Sequence, residues 1–319
     1  MAVRSKRRAV EVSVGARVVR VDRGMRVEAA SRLVAHAMPG EREPGRRLIA
    51  AAAENQINLE QMWASVDGET GRVGQVCVVV PGNGGTGVCF ASTPRSEEEA
   101  LELGSVVDTA CREVEGVRLA QILLEPQEER LARAFEQGGF LRLAVLDSMR
   151  RSVPSQREVA EWGPGAGWGE GVEVRSWRVG DDEAVGLAIE RSYEETLDCP
   201  ALCGLRPMED VIASHRGTGV WDPSLWFIVF LDGAPEGVML LNPSPGIGSV
   251  ELIYLGLSKR LRGRGLGERL LRYGLAKLVG REEQRVQCAV DRGNAPALRL
   301  YERLGFRVFE SRLAMVRKV

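Results

Sequence analysis

The chain has 319 residues, 44% of them hydrophobic and 27% charged, enough apolar material for ordinary globular cores and, at about 150 residues per domain, enough length for two of them. The 43 Lys and Arg against 44 Asp and Glu leave a net charge of −1, which excludes a generic polyanion binder, because displacing counterions from nucleic acid needs a net basic face. No apolar run reaches the roughly 18 residues of a membrane span, and the basic start Met1–Arg8 is followed by no apolar leader core, so a cytoplasmic chain without nucleic-acid or membrane partners is expected.

In chain order, the first half offers strands at Val76–Val80 and Val88–Ser92, joined by a Gly-rich hairpin turn, Gly82–Gly87. A helix opens after Ser92-Thr-Pro-Arg-Ser-Glu-Glu-Glu, and another, Leu131–Gln137, ends at Gly-Gly-Phe140 before an apolar strand, Leu141–Leu146. Pro and Gly then cluster through Val153-Pro-Ser-Gln-Arg and Trp162–Gly169, the signature of a linker. The second half predicts strand Val172–Trp177, a helix from Asp181 to about Glu195, and a helical or irregular stretch Met208–His215. Strands follow at Trp226–Leu231, Gly237–Asn242 and Val250–Leu257, then helix Leu266–Val279, strand Arg285–Val290, helix Ala295–Leu304 and strand Arg307–Val316.

The two halves repeat a pattern. Each closes with an amphipathic helix ending at Gly-Phe, Gly139-Phe140 and Gly305-Phe306, followed by a strand. The offset of 166 residues points to a tandem duplication of one α/β unit with a mixed sheet. The expected division is 1–152, a linker 153–171, and 172–319.

The six cysteines (Cys77, Cys89, Cys111, Cys199, Cys203, Cys288) are scattered without a CxxC pair, and with only His36 and His215 available they compose no metal-ligand pattern. Buried free thiols and no metal are expected. A nucleophile paired with His215 is set aside, because nothing marks a nucleophile elbow.

The stretch that carries chemistry is Val250–Gly267. An apolar strand runs into Arg262-Gly-Arg-Gly-Leu-Gly267 and directly into an amphipathic helix carrying Leu266, Leu270, Leu271, Leu275 and Leu278. Strand, Gly-rich turn and helix start together make an anion site: free backbone N–H groups and the positive helix end point to one spot, and Gly admits a phosphate to the backbone. Arg262 and Arg264 add charge. About 25 residues on comes a second strand and then Asn294-Ala-Pro-Ala-Leu-Arg-Leu-Tyr301-Glu-Arg-Leu-Gly-Phe306, with Asn294 read as a helix N-cap.

With these two motifs in this order, residues from about Val172 to Val319 resemble the GCN5-related N-acetyltransferase (GNAT) superfamily. The Arg-x-x-Gly-x-Gly loop matches Arg262–Gly267, and the Asn-x-x-Ala-x-x-x-Tyr…Gly-Phe helix matches Asn294–Phe306. The tandem arrangement, with Glu251-x5-Leu257 before the loop and Trp221-Asp-Pro-Ser-Leu-Trp-Phe227 earlier, resembles the mycothiol synthases. The resemblance implies two tandem GNAT-like domains, each a mixed, mainly antiparallel sheet flanked by helices. It implies acetyl-CoA as cosubstrate, its pyrophosphate held by Arg262, Gly263, Arg264, Gly265, Leu266 and Gly267. The pantetheine arm would lie by Leu255, Leu257 and Asn294, between strands splayed around Leu255–Leu257 and Cys288–Val290. The backbone N–H near Leu257 would polarise the acetyl carbonyl. Transfer to an amine needs a base for its proton and an acid for the departing thiolate; the resemblance implies Glu251 as base and Tyr301 as acid, with Tyr254 an alternative polar group on the same strand.

The first half offers no such loop. After Val88–Ser92 the chain has no Gly-x-Gly, and Glu97, Glu98 and Glu99 stand where a phosphate would bind, while Phe135 stands where a Tyr would help. This half is expected to be GNAT-like without productive coenzyme binding. Acceptor residues are expected within Ser192–Arg216, where Glu194, Glu195, Asp198, Glu209 and Asp210 favour a cationic amine. The resulting expectation is an acetyl-CoA-dependent N-acyltransferase acting on a small-molecule or peptide amine by direct attack on the thioester, active in the second half, with acceptor identity and oligomeric state open. The alternative is a non-catalytic acyl-CoA sensor or interaction scaffold.

Overall fold

The structure, a computed structural model, describes residues 16–163 and 167–319; the basic start Met1–Arg8 and the linker residues Pro164–Ala166 lie outside them. In chain order the elements are β1 (Ala16–Arg20), α1 (Arg26–Val34), α2 (Pro44–Glu54), β2 (Met62–Asp67), β3 (Val73–Pro81), β4 (Thr86–Ala91), α3 (Glu97–Glu113), β5 (Leu119–Leu124), α4 (Glu129–Gln137), β6 (Leu141–Ser152) and α5 (Gln156–Glu161). They continue with β7 (Val172–Ser176), α6 (Asp182–Ser192), α7 (Met208–Arg216), β8 (Trp226–Leu231), β9 (Ala234–Ser244), β10 (Ser249–Leu257), α8 (Leu266–Ala276), β11 (Arg285–Asp291), α9 (Ala295–Arg303) and β12 (Arg307–Lys318). The fold is α/β, with mixed, mostly antiparallel pairing flanked by helices, as the sequence implies.

The described residues form two compact units: one holds those up to Pro81, Gly87–Arg142 and Met315–Val319, the other Gly82–Thr86 and Leu143–Ala314. In the first unit β1, β2, β3 and β4 pair antiparallel in sequence order. The Gly-rich segment is a hairpin connection, with Cys77 opposite Ala91 and Pro81 opposite Gly87. Helix α3 buries Ala100, Leu103, Val106, Val107 and Ala110.

The 166-residue repeat is visible in detail. Gly139 and Gly305 both take φ of +84°, the left-handed conformation a helix C-terminus demands and Gly supplies. Phe140 and Phe306 are both buried, their N–H groups donating to Phe135 and Tyr301 carbonyls at 2.9 and 3.0 Å. The strands that follow are exchanged. Residues 143–152 of β6 belong to the second unit, pairing antiparallel with β11 from Asp291↔Leu146 to Arg285↔Ser152. The last residues of β12 belong to the first. Arginines at equivalent positions follow the exchange: Arg151 donates to the Leu304 carbonyl at the end of α9, and Arg317 to the Gly138 carbonyl at the end of α4. Both helix ends thereby satisfy a carbonyl that has no partner in the helix.

In the second unit the strand order is β6-β11-β10-β9-β8-β7, antiparallel except for the parallel β10–β11 pair. The two faces bury separate cores. Val250, Leu252, Leu270, Leu271, Leu275, Tyr301 and Phe306 pack under α8 and α9; Val185, Ile189, Ile212, Trp226, Ile228 and Leu240 pack under α6 and α7. Each such side chain contributes about 1.5–3 kcal/mol by leaving water. Helix α6 stops at Ser192, short of the expected Glu195. The reason is local: the carbonyls of Ser192, Glu194 and Glu195 are taken by the Arg262 guanidinium, and Glu195 turns left-handed at φ +50°.

Candidate active site

Strands β10 and β11 pair only from Ser249↔Arg285 to Glu251↔Gln287. Both continue, to Leu257 and Asp291, without that pairing, and a narrow cleft of about 50 Å³ lies between them, lined by Asp198, Leu255, Val290, Asn294, Ala297 and Tyr301. A bulge at Ile253 breaks the β9–β10 register. Leu252 and Leu255 therefore face the α8 side while Ile253 and Tyr254 both face α6 and α7.

Beyond the cleft, β10 leads to the Gly-rich turn. Gly263 and Gly265 take φ of +74° and +71°, and a Cβ at either would meet nothing within 4 Å. The left-handed backbone, rather than crowding, requires glycine there. Gly265 is the N-cap of α8, so Leu266 and Gly267 open the helix with N–H groups that have no intrahelical acceptor. Arg264 is exposed at this end. Arg262 is directed elsewhere: Nε donates to the Leu257 carbonyl at 2.9 Å, Nη1 to Glu194 at 2.7 Å and Nη2 to Ser192 at 2.6 Å. Its side chain ties the turn to the end of α6. A second cavity of about 660 Å³ adjoins the same helix start, walled by Trp162, Trp168, Gly265, Arg269, Arg272 and Tyr273.

Of the other expected residues, Leu255 and Leu257 pack their side chains toward α8. Asn294 caps α9, accepting from Ala297 N–H at 3.2 Å, and borders the cleft. Tyr301 is buried on α9 beside the cleft, its ring 5.6 Å from Phe306, and burial raises its phenol well above the ordinary range, so it stays protonated. Glu251 sits on β10 where pairing to β11 ends; burial raises its carboxyl, and a hydrogen bond from the Gln287 amide partly counters that.

On the α6–α7 side a cavity of about 320 Å³ is lined by Tyr193, Asp198, Cys203, Arg206, His215 and Tyr254, among others, a volume suited to a small molecule. Asp198 borders both this cavity and the cleft. It is held by a reciprocal pin: Asp291 N–H donates to Asp198 Oδ1 at 3.1 Å, and Cys199 N–H to Asp291 Oδ2 at 3.2 Å. Local desolvation raises the Asp198 carboxyl although the residue keeps contact with solvent. Of the other acids expected here, Glu194 and Glu195 pair with Lys259 instead, at 3.9 and 2.5 Å, Glu209 is exposed and Asp210 is buried in the first turn of α7. Sequence reasoning passed over Arg206 and set His215 aside. The one available signal was that His215 is one of two histidines in the chain.

In the first unit the corresponding helix start is self-occupied. Ser96 caps α3 by accepting from Glu99 N–H at 3.1 Å, and the Glu99 carboxylate accepts from Arg95 N–H at 2.7 Å. These side chains use donors that an anion would need.

Residues 189–306 match the acetyltransferase (GNAT) family model. The chain is similar to a mycothiol acetyltransferase of Acidothermus cellulolyticus, 32% identical over 199 residues covering 57% of this chain and 56% of that one. It is likewise 32% identical to one of Thermobispora bispora over 211 residues, 64% of this chain and 65% of that one. A third, of Thermomonospora curvata, is 36% identical over 53% of each chain. The chain thus spans about half to two thirds of the length of the curated relatives it matches. In fold it is similar to a GCN5-related N-acetyltransferase from Sphaerobacter thermophilus (TM-score 0.55, 18% identity, 97% of each chain covered). It is also similar to a tandem GNAT protein from the clavulanic acid biosynthesis pathway (TM-score 0.50, 15% identity, 95% of this chain and 98% of that one).

Proposed function

We propose that the chain is a cytoplasmic acetyl-CoA-dependent N-acetyltransferase whose second half, 172–319, transfers the acetyl group to the primary amine of a small molecule or peptide by direct attack on the thioester. The observation that carries this reading is the parting of β10 from β11 after Glu251 and Gln287, next to the left-handed glycines that open α8. The residues fit the cosubstrate. Backbone N–H groups from Gly263 to Gly267, with Arg264, would hold its pyrophosphate, and the open space at Gly263 and Gly265 admits a phosphate to the backbone. Leu255, Leu257 and Asn294 would border its pantetheine arm. The cosubstrate supplies an activated acetyl thioester.

The chain's own groups manage the protons. As the amine nitrogen bonds to the acetyl carbon and the carbon–sulfur bond breaks, Glu251 takes the amine proton, directly or through water, and the Tyr301 phenol protonates the departing thiolate. The raised Glu251 carboxyl is a stronger base than an ordinary one, and the protonated Tyr301 keeps its proton until the thiolate forms. The relatives named mycothiol acetyltransferase support acetyl transfer to an amine. We further propose that 1–152 is a GNAT-like domain without a pyrophosphate loop, joined by 153–171; the self-capped start of α3 supports this. Among the described residues, no helix is long and apolar enough to cross a membrane. The test is coenzyme A thiol release from acetyl-CoA with a panel of primary amines: amine-dependent release supports transferase activity, and binding without release contradicts it.

A further inference from the structure

We infer that the acceptor is a small primary amine that also carries a carboxylate, and that the carboxylate docks on Arg206 and His215 in the cavity between α6, α7 and β10. This rests on the acetyltransferase reading of that cavity and goes beyond it by naming the acceptor's chemical class.

Arg206 is the first ground. Its guanidinium borders the cavity and spends two donors on neutral oxygens, Nη1 on the Gly84 carbonyl and Nη2 on Ser214 Oγ, each at 3.1 Å. A guanidinium has five N–H donors in a fork that matches a carboxylate. Among the described residues, no carboxylate stands within ion-pair distance of it, although the Asp210 charge acts on it from α7 and Tyr193 faces it. A partly desolvated guanidinium beside a cavity, hydrogen-bonded to neutral oxygens, has donors left to take an anion. Its position is fixed by an unusual support, the hairpin tip Gly82–Thr86. Gly84 takes φ +65° there, and any Cβ would overlap the Asp210 carbonyl oxygen. The hairpin tip thus brings the Gly84 carbonyl against Arg206.

His215 is the second ground. Its ring lies 5.7 Å from that of Tyr254, tilted by 38°, and its Nε2 is buried without a hydrogen-bond partner. Buried polar atoms are almost always paired, so an orphan on a cavity wall marks a place for a ligand atom. Burial and the neighbouring Arg206 charge lower the imidazole to about 4, leaving a neutral ring that can offer one N–H.

The opposite charge completes the pattern. Glu190 and Asp198 border the same cavity, and Asp198 also borders the cleft between β10 and β11. A dipolar acceptor would therefore lie with its amine toward Asp198 and the thioester, and its carboxylate toward Arg206.

The test reads binding directly. His215 is one of two histidines, and the exposed His36 serves as internal control. Histidine-selective NMR spectra of the full chain are followed during titration with β-alanine, alanine and alanyl-alanine, each against its carboxamide. The expected result is a saturable shift of His215 with at least one carboxylate, weaker by about tenfold or more with its amide, and lost in Arg206→Met but partly kept in Arg206→Lys. Equal response to acid and amide, no response to any carboxylate, or a preference that survives Arg206→Met overturns the proposal. Calorimetric titration with acetyl-CoA separates the two levels: failure to bind it overturns the acetyltransferase reading, while the histidine titration, which needs no turnover, still decides the anion site.

Discussion

Tyr254 Oη and Ser192 Oγ share a hydrogen bond of 2.6 Å. It exists because the bulge at Ile253 turns Tyr254 toward α6 instead of α8. The same last turn of α6 gives its Ser192 carbonyl to Arg262. One helix end is therefore tied at once to the acceptor wall and to the Gly-rich turn. Tyr254→Phe removes the phenol, while Ser192 Oγ keeps its bond to the Ile189 carbonyl at 2.6 Å. The expected loss is about 1 kcal/mol of stability, seen as a lowered Tm, with a smaller fall in kcat than in Tyr301→Phe.

Tyr301→Phe should fold, because the equivalent residue of the repeat, Phe135, is fully buried against Phe140 as Tyr301 is buried against Phe306. Acetyl-CoA affinity by calorimetry should stay unchanged, while kcat falls by about a hundredfold, the ordinary worth of a positioned acid. Normal turnover in this variant would remove Tyr301 from the mechanism.

Glu251 carries two linked pH effects. Because the base acts deprotonated and burial raises its carboxyl, the acid limb of kcat/KM should lie above the ordinary carboxylate range. Glu251→Gln should lose that limb and about a hundredfold or more of activity. The stability effect has the opposite sense. A raised carboxyl favours the neutral form in the folded state, so its contribution is fully present below the unfolded-state value and is lost as pH rises through the folded-state value. Glu251→Gln, always neutral, should therefore melt higher than the parent at about pH 8, the difference vanishing toward about pH 4.

Gly265→Val places an L-residue at φ +71°, which costs about 1–2 kcal/mol, and sets a branched side chain at the start of α8. The chain should remain folded by circular dichroism and lose acetyl-CoA binding in calorimetry. Retained affinity would move the pyrophosphate away from this turn.

Gly84→Ala forces a Cβ onto the Asp210 carbonyl and to 2.7 Å from Ser214 N. A loss of about 1–3 kcal/mol in stability is expected. The KM for the acceptor should rise as Arg206 loses its support, with acetyl-CoA affinity unchanged.

The Gly-rich turn and the Asn294–Phe306 helix could be read from the sequence because each is local: left-handed glycines, a capping Asn and a 3.6-residue period lie within a few residues of one another. The exchange of β6 could not, since Leu146 and Asp291 are far apart in the chain and any apolar strand can pair with any other edge. The direction of Arg262 escaped for a related reason. An arginine beside a Gly-rich turn reads as a phosphate ligand until the three carbonyls at the end of α6 are brought to it. Arg206 and His215 carry no motif, and only the folded cavity places them together.

Thiol release from acetyl-CoA by the purified chain, measured across a panel of primary amines, bears most directly on the proposed activity. An N-acetyltransferase gives saturable, amine-dependent release that Gly265→Val abolishes and Tyr301→Phe slows. Acetyl-CoA binding with no amine-dependent release would make the chain an acyl-CoA sensor or scaffold instead.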